Sequence, residues 1–134
     1  MAILNLLGWK KMSNRRMSLS GSGKEILDQM SQLLEIERPQ GIKIALAKGI
    51  SKFDGNFDID YRDSKDKWNI PDNIIRDREY LLFKHLIIQE AQKPLNDEEI
   101  TQFMLYFIEF GLKTVQVEIN NMSSMEDYRI TVLD

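Results

Sequence analysis

From Ile100 to Ile119 the chain sets an apolar residue or a glycine at every third or fourth position: Ile100, Phe103, Met104, Phe107, Ile108, Gly111, Leu112, Val115 and Ile119. Side chains at that spacing share one face of an α-helix. About five turns of it make a rod on which the rest of a small domain must pack. Asn96 and Glu99 form a capping box ahead of the stripe, so the spacing predicts a helix from Asp97 to about Ile119. Gly111 costs such a helix about 1 kcal/mol relative to alanine, and its presence marks a close crossing with another helix. The chain that supplies the partner has 134 residues, 43% of them apolar and 29% charged, which is the size and balance of a single globular domain.

The N-terminal half supplies the other elements. Arg16-Met17-Ser18-Leu19-Ser20 alternates polar and apolar, as a short half-buried strand does. Gly21-Ser22-Gly23 breaks the alternation, and Ser22 with Glu25 reads as the capping box of a helix. That helix carries Ile26, Leu27, Met30, Leu33 and Leu34 on one stripe. Glu35 to Arg38 read as a turn, and Pro39 suits the first turn of a second helix. This second helix runs roughly from Gln40 to Lys52 and buries Ile42, Ala45, Leu46, Gly49 and Ile50. Strand, helix, turn and helix in this order make a ribbon–helix–helix plan. In it two copies pair their strands antiparallel, because a lone short strand has nothing to bond to. A helical hairpin behind a disordered arm is the alternative.

Residues 53–73 are rich in Asp, Asn and Gly, with Phe57, Tyr61 and Trp68 as anchors, and read as an acidic connecting loop. From Ile74 to Ala91 the residues Ile75, Tyr80, Leu81, Leu82, Phe83, Leu86, Ile87 and Ile88 are apolar nearly all round, so this helix is expected to be covered on most faces. The tail from Tyr128 to Leu133 alternates as an edge strand does. The expected fold is therefore mainly α: a ribbon–helix–helix-like N-terminal unit plus two long C-terminal helices in one compact helical domain. It spans residues 1–134, with residues 1–15 as an apolar and then basic arm. Four helices, one apolar all round, leave more greasy surface than one small bundle covers, and a homo-oligomer is expected on that ground, with a monomer whose N-terminal segment tucks over the core as the alternative.

The absence of cysteine excludes a disulfide scaffold, thiolate metal sites and cysteine catalysis. A single histidine, His85, excludes a triad or metal cluster needing two imidazoles from this chain, so no enzyme and no cofactor is expected. His85 itself, inside the most apolar helix, reads as a core or interface histidine. Gly21-Ser22-Gly23-Lys24-Glu25 lacks the earlier glycine and the hydroxyl of a phosphate loop. The oxygen-rich run from Asp54 to Asp60 lacks the glycine and the distal glutamate of a calcium loop. No apolar run approaches the ~18–20 residues that span a bilayer, and residues 1–9 lack the charge order of a signal peptide. A cytoplasmic protein is expected.

Charge is where the sequence points outward. The first 24 residues hold Lys10, Lys11, Arg15, Arg16 and Lys24 with no acid, leaving 13 basic and 21 acidic residues in the remainder. A basic arm on an acidic body is the pattern of a protein that meets a polyanion with one end. Lys48 and Lys52 share one face of the second helix, with Lys43 elsewhere on the cylinder. With Arg15, Arg16 and Lys24 they would form a basic rim, giving phosphate affinity without sequence choice. No aromatic platform interleaves these charges, which argues against a single-strand binder.

Two stretches carry a family resemblance. One runs from Arg16-Met-Ser-Leu through Glu37-Arg-Pro39-Gln-Gly-Ile42-Lys-Ile-Ala45-Leu-Ala-Lys48-Gly-Ile50-Ser51. The other is Leu95-Asn-Asp97-Glu-Glu99 followed by Phe107-Ile-Glu-Phe-Gly111-Leu112. In order and spacing they resemble the DndE family of bacterial DNA sulfur-modification proteins, over about half of the chain. The resemblance implies a small, helical, non-enzymatic homotetramer that binds nicked double-stranded DNA through surface lysines in DNA phosphorothioation. It would work beside a cysteine desulfurase, an ATP-pyrophosphatase-type protein and an ATPase. By position it makes Lys43 and Lys48 the phosphate contacts, and the charge pattern adds Arg15, Arg16 and Lys24. Two other readings stay open: a ribbon–helix–helix regulator reading bases through Arg16, Ser18 and Ser20, and an assembly subunit that touches no DNA.

Overall fold

The structure, a computed structural model, describes residues 16–55, 67–122 and 130. The arm of residues 1–15 (Arg15 and Trp9 with it), most of the oxygen-rich run after Asp54, and the tail apart from Ile130 lie outside the described residues. Ile130 is helical, not extended. In order come β1 (Met17–Leu19), α1 (Gly21–Leu34), α2 (Arg38–Lys52), β2 (Trp68–Ile70), α3 (Asp77–Ala91) and α4 (Asp97–Asn121). The fold is mainly helical, with a small two-stranded sheet, as the residue pattern predicts.

Helix α4 is the rod. Its 25 residues span about 37 Å. The expected cap is in place: the Asn96 side chain accepts from the Glu99 N–H at 2.8 Å, and Glu99 accepts from the Asn96 N–H at 3.0 Å. Ile100, Phe107, Ile108, Leu112 and Val115 are fully buried along one side. Helix α2 crosses that side at Gly111. A Cβ added there would lie 1.8 Å from the Ala45 carbonyl oxygen, and one added at Gly49 would lie 2.0 Å from the Phe107 carbonyl oxygen. Two glycines facing each other thus let the two backbones touch, and Ala45, Leu46, Ile108 and Leu112 close over the contact. Phe53, just past the end of α2, sets its ring edge-on to Phe107 with centroids 5.0 Å apart.

The strand meets a partner the sequence did not announce. β1 pairs antiparallel with β2 of the same chain, in the register Met17↔Ile70, Ser18↔Asn69, Leu19↔Trp68. This corrects two expectations: the strand does not wait for a second copy, and residues 68–70 are a strand rather than part of a loop. The ribbon is one-sided. Leu19 and Ile70 are buried beneath it, while on the outer face Ser18 donates to the Asn69 side-chain oxygen at 2.6 Å.

Two helix starts also differ from expectation. α1 is capped by Ser20, whose hydroxyl accepts from the Gly23 N–H at 3.0 Å, so Gly21-Ser22-Gly23 lies inside the first turn. α3 begins at Asp77, not Ile74, because Asp77 sits at φ 56°, outside the right-handed helical region. Ile74 and Ile75 are buried in the turn before it. α3 is also less covered than its composition predicts. Phe83 and Ile87 are buried, whereas Leu81, Leu82 and His85 are exposed. His85 therefore does not serve the core: it lies about 200° round the helix from Phe83.

Gly49→Ala and Gly111→Ala are each expected to destabilise the fold by about 2–3 kcal/mol despite alanine's better helix propensity, because the added methyl meets backbone that has no rotamer to yield. Urea unfolding checks this, and an unchanged midpoint would contradict the crossing.

Candidate nucleic-acid interface

The basic residues singled out above fall into two groups once placed on the fold. Lys43 and Lys48 leave opposite flanks of α2. Lys43, 33% exposed, donates to Glu79 of α3 at 2.8 Å. Lys48, 8% exposed, pairs with Glu118 of α4 at 3.0 Å. The structure thus does not bring them together, and Lys48 is corrected as a surface phosphate contact: its ammonium is under α4. The cause is the glycine crossing next door, which draws α4 in until the flank of α2 is swallowed. Lys52, one turn on, is exposed.

The second group lies ahead of β1, in the first turn of α1 and on α4. Arg16 is exposed ahead of β1, and Lys24 is half-buried in the first turn of α1. Lys113 of α4 joins them, its ammonium 3.1 Å from the Ser22 hydroxyl. Among the described residues no carboxylate lies within ion-pair distance of these three. The start of α1 is held by a buried polar joint. Glu109 of α4, one turn before Lys113, accepts from the Ser20 hydroxyl at 3.1 Å and is buried. Its carboxylate fills the space a Gly23 side chain would need, 2.2 Å from an added Cβ. A carboxylate beneath the first turn of a helix is favoured by the free amides and the helix dipole. Ser20 is committed to this joint and buried, so it cannot read a base edge.

Sequence reasoning missed Glu109 and Lys113. The signal was present for the first, since Glu109 interrupts an otherwise apolar neighbourhood between Leu105 and Leu112. Lys113 had none, because only the fold brings it to Ser22. Arg38 belongs to neither group: it pairs with Asp28 at 2.8 Å and lies over the Trp68 ring, 5.5 Å from its centroid.

No group of three or more His, Asp or Glu among the described residues is arranged to hold a metal ion, and no described helix is long and apolar enough to cross a membrane. No protein-family model, curated protein or solved structure matches this chain.

The two α2 lysines are expected to behave differently when removed. Lys48→Met leaves Glu118 deep in the fold without its cation and should cost about 3 kcal/mol. Lys43→Met breaks a half-exposed pair and should cost under about 1 kcal/mol. Thermal unfolding of the two variants side by side checks the order, and equal losses would contradict the burial of Lys48.

Proposed function

We propose that the protein is a non-enzymatic DNA-binding subunit of a DNA sulfur-modification system, contacting the backbone of nicked double-stranded DNA. The observation that carries the reading is a set of cations, Arg16 ahead of β1 with Lys24 and Lys113 at the first turn of α1, that have no carboxylate partner among the described residues and lie in a chain whose first 24 residues carry five basic and no acidic side chains. Cations of this kind meet phosphates and supply affinity that is independent of sequence. The likeness of the helical segments to the DndE family supplies the pathway and the partners: a desulfurase, an ATP-pyrophosphatase-type protein and an ATPase, with this chain as a cytoplasmic homotetramer.

Of the residues the resemblance nominates, Lys43 remains a candidate contact, since a half-exposed ion pair is easily exchanged for a phosphate. Lys48 acts in holding α2 to α4. The regulator reading is weaker on two counts. Its twofold ribbon needs a strand from a second copy, whereas β1 is paired within the chain. Of its base-reading residues, Ser20 is buried and Ser18 is bonded to Asn69.

With four phosphate contacts, affinity for a nicked duplex should fall roughly a hundred-fold between about 50 and 200 mM salt. Arg16→Glu combined with Lys24→Glu should weaken binding across all sequences and flatten that slope. Fluorescence anisotropy on labelled duplexes measures both. Binding that ignores salt and charge reversal would overturn the proposal, and strong preference for one duplex sequence would favour the regulator. Light scattering on the purified protein tests the tetramer.

A further inference from the structure

The outer face of the ribbon has a chemistry that the fold does not use. Met17, Leu19, Trp68 and Ile70 turn inward against the core, and Ser18 and Asn69 stand on the opposite side. Side chains alternate along a strand, so Arg16, one residue ahead of β1, and Lys67, one residue ahead of β2, belong to that outer side. Arg16, Lys67 and Asn69 are all exposed. Neither cation has a carboxylate partner among the described residues. Asp72, just past β2, lines the cleft on the inner side together with Met17 and Ile70.

The hydrogen bond between the two central residues decides what this face can hold. Ser18 donates to the Asn69 side-chain oxygen at 2.6 Å, so the acceptor of that amide is engaged and its N–H donors are left for a partner. Arginine and lysine side chains are donors only. The face is thus a row of donors carrying two positive charges, and its complement is an anion that only accepts. The row is also regular. In the observed register Arg16, Asn69 and Lys67 follow one another along the ribbon in steps of two residues, about 7 Å each. That step is comparable to the distance between neighbouring phosphates along a sugar–phosphate strand.

We infer that the outer face of the ribbon lies along a nucleic-acid backbone: Arg16 and Lys67 each take a phosphate, and the Asn69 amide donates to the one between them. Ser18 is a positioning residue, since its hydroxyl fixes which way the Asn69 amide faces. This contact rests on the DNA-binding reading and carries it onto β2, to two residues with no part in the fold's core.

Fluorescence anisotropy on nicked duplexes, with thermal unfolding to confirm that each variant is folded, tests the residues one at a time. Lys67→Gln should weaken binding several-fold on every sequence and lower the salt slope by about one. Asn69→Ala should weaken it several-fold and leave the slope unchanged, because a neutral amide releases no counterion. Ser18→Ala should follow Asn69→Ala, and Ser18→Thr should bind as the wild type does. Lys93→Gln, at an exposed cation just past α3, should leave affinity and slope as they are. If the wild type binds and Lys67→Gln, Asn69→Ala and Ser18→Ala all match it, the ribbon contact is overturned and the DNA-binding reading stands. A wild type that binds no duplex overturns both. A loss at Asn69→Ala confined to one sequence would make that residue a base reader. Displacement of the duplex by polyglutamate as readily as by unlabelled duplex would give the face to an acidic peptide. Either result overturns the backbone contact too.

Discussion

The contact between Gly49 and Gly111 sets the geometry of everything else in the molecule. A helix pair separated by ordinary side chains keeps its axes 8–10 Å apart and leaves its flanks in water. Here each glycine lies against a backbone carbonyl of the other helix, and the flanks are drawn in as well. Ala45 and Leu46 on one side, with Ile108 and Leu112 on the other, become fully buried. Lys48, next to Gly49, goes with them, and the fold meets the cost of an interior ammonium by facing it with Glu118. One packing decision therefore determines which lysines remain on the surface.

That decision explains where the sequence was legible and where it was not. The course of α4, its Asn96–Glu99 cap and the close crossing at Gly111 were readable because periodicity, capping and glycine cost are local properties. The fate of Lys48 was not readable. At i,i+4 from Lys52 it looks like one half of a solvated face, and only the depth of the α2–α4 approach makes it an interior residue while Lys52 stays outside. The strand pair fails for a related reason. Met17–Leu19 announces itself by alternation, but Trp68-Asn-Ile is three residues in an Asp- and Asn-rich stretch, and its partner lies about fifty residues away in sequence. Short-range pattern carries no record of that pairing. His85 shows the opposite error: composition called its helix buried all round, yet α3 rests on α4 and its neighbours through one side only.

Electrostatics follow from the same frame. The two α2 lysines that align with the family resemblance are each faced by a glutamate from a neighbouring helix, one deep and one near the surface. The start of α1 is arranged differently. Its buried acid, Glu109, accepts from Ser20 and sits under the first turn of α1, and Lys24 and Lys113, like Arg16 ahead of β1, have no carboxylate partner among the described residues. A buried anion under a helix start strengthens the joint between β1 and α4.

Pairing β1 with β2 inside one chain has a consequence for assembly. In a ribbon shared between two copies, dimerisation and strand formation are the same event, and neither copy has a complete core without the other. Here Leu19 and Ile70 already close the core beneath the ribbon in a single chain. Any oligomer the protein forms must therefore add surfaces to a fold that is already closed. The contacts that hold it would be tunable separately from stability, since substitutions at the ribbon would act on the fold and substitutions on the outer helix faces would act on assembly. A backbone-binding subunit gains from that separation. On the proposed reading, several copies would set their cations along a sugar–phosphate strand without any copy depending on its neighbours to remain folded.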